Sequence, residues 1–163
     1  MSSQPLQRKP VVALVGRTNV GKSTLFNRLT RQRRAVVHSL PHVTRDRLIA
    51  EVPDKRQPFL LVDTGGIGER AEDPMQQAIE AQARFAIEQA DLVLLVTDAK
   101  EGLTARDHQV ADQLRRSAKP LLLVANKSES PRADWEQFYA LRLGEPIPIS
   151  AKAGTNINGL LQA

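Results

Sequence analysis

Residues 16–23 read G-R-T-N-V-G-K-S: a glycine, four variable residues, then glycine, lysine and a hydroxyl residue. The stretch follows an apolar strand candidate at 11–15 and opens a helix candidate at 23–29, the context in which this pattern binds phosphate rather than simply turning the chain. A phosphate chain carries several negative charges, and successive backbone N–H groups can surround it only where no Cβ obstructs the approach. Gly16 and Gly21 give that room, while Arg17, Thr18, Asn19 and Val20 supply the backbone between them. Lys22 would reach the β- and γ-phosphates as a point charge, and Ser23 would offer its hydroxyl to Mg2+. Thr24 stands in the first helical turn, whose unpaired N–H groups and dipole favour an anion.

Four further segments fall where a nucleotide site needs them. Asp63-Thr64-Gly65-Gly66 closes a strand at its carboxyl end, where ligands of open α/β sheets collect. Asp63 would support Mg2+ through water, and Gly66 would donate its N–H to a γ-phosphate. Thr44, in a long polar stretch, would complete the Mg2+ shell. Asn126-Lys127-Ser128-Glu129 follows an apolar run where a base would pack, and Ser150-Ala151-Lys152 ends the next strand. Each of these alone is a common turn. Their order and spacing make them reinforce one another.

The elements that must position these residues are legible as alternating strands and helices. Strands are expected at 11–15, 48–52, 59–63, 92–96, 120–126 and 146–149, the third following the second through a short polar turn and so pairing with it antiparallel. The helix after residue 23 runs to about Thr30 and buries Leu25, Phe26 and Leu29. Residues 31–47 read as a long exposed loop, a feature that is usually functional in a compact domain. A helix over 75–89 should turn Ile79, Ala83, Phe85, Ala86 and Ala90 inward. Thr104 is a candidate N-cap for a helix to about Ser117 carrying Val110, Ala111 and Leu114. Pro131 suits the first turn of a helix to about Leu141, with Trp135 in the core. Residues 156–163 look like the first turns of a last helix, so the chain is expected to be a piece of a longer protein. The fold class is therefore α/β: a P-loop nucleotide-binding fold with a doubly wound, mostly parallel six-stranded sheet and helices on both faces. Residues 1–9 form a leader and residues 10–163 the domain.

Composition agrees with one globular core. The chain has 163 residues, 25% charged and 41% hydrophobic, which is ordinary for a single domain. It has no cysteine, so disulfides and thiolate metal sites are excluded and a reducing cytoplasm is the compatible setting. The N-terminus lacks an apolar signal region, and apolar runs such as 121–125 fall far short of the ~20 residues needed to cross a bilayer. Net charge is +5 with a pI near 10.0. Basic residues cluster at Arg28, Arg31, Arg33 and Arg34, at Arg45 and Arg47, and as Lys55/Arg56 and Arg115/Arg116. Two readings stand: a solvated basic face, or contact with a polyanion such as RNA. Aromatic residues are only 4% and do not interleave with the clusters, so no base-stacking platform is visible.

The series G-R-T-N-V-G-K-S-T, V-T-R-D-R, D-T-G-G, N-K-S-E and S-A-K resembles the five signature loops of translation-factor-class GTPases. More narrowly, A-D-L-V-L-L-V-T-D-A-K-E-G-L at 90–103 and F-Y-A-L-R-L-G-E at 138–145 make nearly the whole chain similar to the first GTPase domain of the bacterial Der (EngA) ribosome-assembly family. The resemblance implies tandem GTPase domains and a KH-like RNA-binding domain acting on the large ribosomal subunit or its rRNA, in the cytoplasm and without a membrane partner; the present stretch alone is expected to be monomeric. It implies GTP as substrate and GDP as product, with catalysis resting on Lys22, Asn19, Thr44 and Gly66. Ser23 and Thr44 would ligate Mg2+, with Asp63 behind a water. Asn126, Lys127, the residue at 129 and the Ala151 backbone would frame guanine, with Ser150 and Lys152 around it.

Three positions depart from the family pattern. Glu129 stands where an Asp accepts two hydrogen bonds from guanine, which bears on base selectivity. Thr18 replaces a proline. His42 replaces a glycine ahead of the switch threonine and is assigned no role. Ile67 occupies the position where many small GTPases carry a water-orienting glutamine, and its side chain can neither donate nor accept. Asn19 matches the asparagine that helps hold K+ against the phosphates in relatives lacking that glutamine; it is equally a residue suited to a tight turn. A GTP-hydrolysing switch is the first reading. The rivals are a nucleotide-gated binding module with negligible turnover and an ATP-using P-loop kinase, whose later loops lack Asn-Lys and Ser-Ala-Lys.

Overall fold

The computed structural model describes residues 9–17, 20–32, 36–39, 48–53, 57–64, 84–131 and 133–162. In chain order these form β1 (Val11–Val15), α1 (Lys22–Gln32), β2 (Val36–Ser39), β3 (Leu48–Val52), β4 (Phe59–Asp63), helical residues 84–89 as α2, and β5 (Leu92–Asp98). There follow α3 (Ala105–Ser117), β6 (Leu121–Asn126), a 3-10 helix (Trp135–Leu141), β7 (Ile147–Pro148) and α4 (Ile157–Gln162).

The apolar runs become strands of one sheet, in the order β2-β3-β4-β1-β5-β6-β7. β1 lies between β4, with Val12 opposite Leu61, and β5, with Val12 opposite Leu92; β6 and β7 continue in the same direction. Side chains alternate along these strands, so each strand feeds two cores. Ala13, Val15, Val93, Leu95 and Leu123 point to one, where Val110 and Leu114 of α3 and Phe138 and Leu141 of the 3-10 helix cover them. Leu14, Leu94, Val96 and Val124 point to the other, beneath Leu25, Phe26 and Leu29 of α1 and Ile157 and Leu160 of α4. Fully burying a side chain of this size stabilises by about 1.5–3 kcal/mol, and truncating Phe138, which has no exposed surface, would cost about 3–5 kcal/mol. The consequence for function is geometric: the carboxyl ends of β1, β4, β5, β6 and β7 share one edge of the sheet.

Helices on both faces and the antiparallel β3–β4 pair, Ala50 opposite Leu61, match expectation, while three features do not. The sheet has seven strands rather than six, because Val36–Ser39, within the stretch read as a loop, pairs antiparallel with β3 from Val36–Glu51 to Ser39–Leu48. Two adjacent β-branched residues suit a strand, but four residues without alternation give no periodic signal. The helix expected from Pro131 begins only at Trp135 and is 3-10, because the backbone ahead of it is engaged elsewhere: Ser130 N–H bonds to the Lys127 carbonyl and Asp134 N–H to that of Ala99. Trp135 is accordingly only partly buried against the first core, beside Tyr139. In α2 and just after it, Ala86, Ile87 and Ala90 face inward but Phe85 is 56% exposed; with Ile87 on the inner face, the helix turns Phe85 outward. Ile79 and Ala83 lie outside the described residues.

Candidate nucleotide site

The phosphate-loop glycines are required by close approach. A Cβ on Gly16 would stand 2.6 Å from the Val96 carbonyl oxygen, and one on Gly21, whose φ is +95°, would run into the Asn126 amide. Lys22, at the start of α1, is buried and donates from Nζ to the Thr64 carbonyl at 2.9 Å. Thr64 in turn donates its hydroxyl to the Leu14 carbonyl at 2.7 Å, fastening the end of β4 to β1. Ser23 Oγ lies 3.5 Å from Asp63 Oδ2. A hydroxyl and a buried carboxylate side by side, at the mouth of the phosphate loop, are hard oxygen donors of the kind Mg2+ takes from a protein while phosphates and waters complete its shell. Among the described residues no cluster of three acidic, histidine or cysteine side chains exists that would hold a metal by itself.

The base end is built around Asn126, at the carboxyl end of β6 and almost fully buried. Its Nδ2 donates to the Val20 carbonyl at 2.9 Å, and its Oδ1 accepts the Ala151 N–H at 3.0 Å. The phosphate loop and the Ser150–Lys152 segment are thus joined by one side chain. Ser150 is fully buried; its carbonyl accepts from Gly154 N–H at 2.8 Å and Thr155 N–H at 3.0 Å, and its hydroxyl from Ala153 N–H at 3.0 Å, closing the loop tightly. Lys152 is exposed, and so is Glu129, which stands on the turn after Lys127.

Lys127 adopts φ +63°, uncommon for a lysine. Its Nζ meets Asp98 Oδ2 at 2.7 Å, which holds the side chain alongside the end of β5. Asp98 Oδ1 accepts from Lys100 and Glu101 N–H, both at 2.9 Å. Burial pushes the Asp98 carboxyl up, but the Lys127 ammonium and those two N–H groups together outweigh it, so its pKa lies below 3.8.

Thus the structure brings Gly16, Val20, Gly21, Lys22, Ser23, Asp63 and Thr64 together with Asn126, Ser150 and Ala151. Thr24 follows in α1. Arg17 is placed differently from a ligand-facing residue: it is buried against Glu101 and Asp107. Thr18, Asn19, Thr44, Gly65, Gly66 and Ile67 lie outside the described residues. Two participants were not anticipated. Asp98 carries the signal of an acidic residue at a strand's carboxyl end. Arg28, which reads as one of a basic cluster, donates to the carbonyls of Ala151 at 2.9 Å and Lys152 at 2.5 Å; its neighbours in sequence give no hint of that clamp.

A glycine-lined phosphate loop, a serine–aspartate pair and an Asn-Lys segment locked to it on this sheet define a P-loop nucleotide-binding domain of the GTPase class. The chain belongs to the 50S ribosome-binding GTPase family, which it matches over residues 11–127. GTPase Der of Desulforamulus reducens is 51% identical over 94% of this chain and 35% of its own length; GTPase Der of Thermomicrobium roseum is 53% identical with the same coverages of 94% and 35%. The chain therefore spans about a third of the length of these curated relatives. Among solved structures, Aquifex aeolicus Era bound to GDP and AlF4- is 29% identical with a TM-score of 0.76, over 96% of this chain and 56% of that one. The G domain of the T. maritima FeoB iron transporter is 25% identical with a TM-score of 0.73, over 95% of this chain and 96% of that one. Among the described residues no helix is long and apolar enough to cross a membrane.

Proposed function

We propose that this chain is a guanine-nucleotide switch domain that binds GTP and GDP, hydrolyses GTP, and works within a longer cytoplasmic protein on assembly of the large ribosomal subunit. The observation that carries the nucleotide reading is the Asn126 bridge, 2.9 Å to Val20 and 3.0 Å to Ala151. It sets a base-binding segment at a fixed distance from a phosphate cradle, which an ATP-using kinase with only the cradle would not need. Lys22 and the loop N–H groups bind the phosphates, and Ser23, Thr44 and, through water, Asp63 hold Mg2+, which when bound offsets charge on the β- and γ-phosphates. Gly66 N–H serves the γ-phosphate. Asn126, Lys127, Glu129 and the Ala151 backbone frame the guanine.

Glu129 keeps a carboxylate facing two guanine N–H donors that adenine does not offer in that arrangement. Losing one such charged hydrogen bond costs about 1.5–3 kcal/mol, roughly 10- to 150-fold in affinity, so selectivity weakens at most and does not reverse. Ile67 supplies no polar group for the attacking water, so turnover should be slow, and Asn19 is the residue that would hold a K+ ion, which would supply positive charge for the reaction. The ribosomal role rests on the family and on relatives named GTPase Der, and rRNA is the polyanion that best accounts for the net charge of +5. Displacement of a fluorescent GDP analogue tests the nucleotide assignment: GTP and GDP should compete and ATP should not. ATP competing as well as GTP would favour the kinase.

A further inference from the structure

We propose that Arg17 is a positioning residue of the phosphate loop, acting through Asp107 and Glu101, and not a ligand of the nucleotide; this rests on the guanine-nucleotide reading above. Arg17 follows the first loop glycine, and its side chain is only 8% exposed, with Nη1 3.1 Å from Glu101 Oε2 and Nε 3.3 Å from Asp107 Oδ1. A guanidinium stays charged at any working pH, and a buried charge persists only when paired. Here two carboxylates surround one cation. The pocket thus has no surplus positive charge to offer a phosphate.

The partners are themselves fixed. Asp107 uses its other oxygen, Oδ2, to accept from Thr104 N–H at 2.9 Å and Thr104 Oγ1 at 3.0 Å, while Thr104 Oγ1 accepts from Asp107 N–H at 3.3 Å. That reciprocal pair is the N-terminal cap of α3, so one carboxylate both starts the helix and holds the loop. Glu101 sits on the same β5–α3 turn, where Gly102 N–H bonds to the Asp98 carbonyl at 2.9 Å and Asp98 holds Lys127. The turn therefore touches the phosphate end of the site through Arg17 and the base end through Lys127. With Val20 held from the other side by Asn126, the phosphate loop is moored at two points. Arg17 Nε and Nη2 are both buried with no hydrogen-bond partner among the described residues, so Asp107 holds the guanidinium by charge at 3.3 Å rather than by an aligned hydrogen bond.

The test compares wild type with Arg17→Met, Glu101→Gln, Glu101→Lys and the Arg17→Met/Glu101→Gln double variant, reading Kd for fluorescent GDP and for a non-hydrolysable GTP analogue. Arg17→Met should weaken both nucleotides by the same factor, about 10-fold, and leave the preference for guanine over adenine unchanged. Glu101→Gln, altering a half-exposed partner, should weaken both by about 3-fold, and the double variant should be no weaker than Arg17→Met alone. Arg17→Lys, keeping the charge, should recover part of the loss. Hydrogen exchange of the Gly16, Val20, Gly21 and Lys22 amides in the nucleotide-free chain should rise in Arg17→Met and Glu101→Lys, a readout that holds even if wild type bound no guanine nucleotide, which would overturn the functional reading alone. Glu101 is exposed enough for its variants to fold should Arg17→Met not. Loss of the triphosphate only, multiplication of the two single effects in the double variant, or Glu101→Lys with wild-type affinity and exchange would each overturn the proposal.

Discussion

The Asn126 side chain donates to the Val20 carbonyl at 2.9 Å across 106 residues of chain. Because its other atom holds Ala151, the residue works as a strut between phosphate loop and base loop before any contact with a base is considered. Asn126→Asp would replace the donor with an acceptor facing a carbonyl oxygen, in a buried position where an unmet polar group costs about 1–3 kcal/mol. The expected outcome is an unfolding free energy lower by that amount, read from a lower urea midpoint, with affinity for GDP and GTP falling together. A change confined to base selectivity, with stability intact, would mean that the strut is not what matters.

The Lys127–Asp98 pair gives a pH signature. Asp98 is held below 3.8 in the folded chain, so its contribution to stability is fully present above the unfolded value and is lost as pH falls through the folded one. Asp98→Asn should be less stable than wild type at pH 7, by about 1–3 kcal/mol for the charge-assisted bonds it loses. The gap should narrow between pH 4 and pH 3 and not between pH 7 and pH 5. Urea midpoints at these values decide the matter, and a gap constant down to pH 3 would contradict the assignment.

What could be read in the sequence, and what could not, divides by the range of the interaction. β1, β5 and β6 are legible because strands covered on both faces are continuous apolar runs, and the phosphate loop because its glycines, lysine and serine are contiguous. Thr104 was legible as a cap because the box spans only to Asp107. By contrast Arg28 looks like one of a basic cluster and Arg17 like one more residue of the phosphate loop until the fold brings Ala151 and Asp107 against them. β2 is a strand because β3 offers it an edge, and Phe85 is outward because Ile87 takes the inner face. Neither choice is written in the local periodicity.

The cap on α3 gives a test of local energetics with a reach into the site. Thr104→Ala removes the acceptor for Asp107 N–H and one of the donors to Asp107 Oδ2, and should cost about 0.5–2 kcal/mol. Thr104→Ser keeps the hydroxyl and should recover most of it. Chemical denaturation measures both, and equal losses in the two variants would mean that the methyl group, not the cap, carries the effect.

The last prediction concerns hydrolysis. Attack on the γ-phosphate needs a water in line and charge offset at the bridging oxygens, since phosphoryl transfer is catalysed chiefly by positioning and electrostatics. With isoleucine at 67, the position after the second-switch glycines cannot orient that water through a hydrogen bond. A monovalent cation held by Asn19 beside the β- and γ-phosphates would supply the missing positive charge from within the loop, as an arginine finger does from outside. K+ should therefore raise turnover above that in Na+ at equal ionic strength by about tenfold or more, short of the ~10^3–10^5 attributed to an arginine finger. Asn19→Ala should abolish the rise while keeping GDP affinity within about threefold, since the loop N–H groups and Lys22 remain. Single-turnover rates in the two salts, with fluorescent GDP binding in parallel, separate catalysis from binding. Equal rates in K+ and Na+, or a K+ response that survives in Asn19→Ala, would move the source of catalysis to a partner that completes the site.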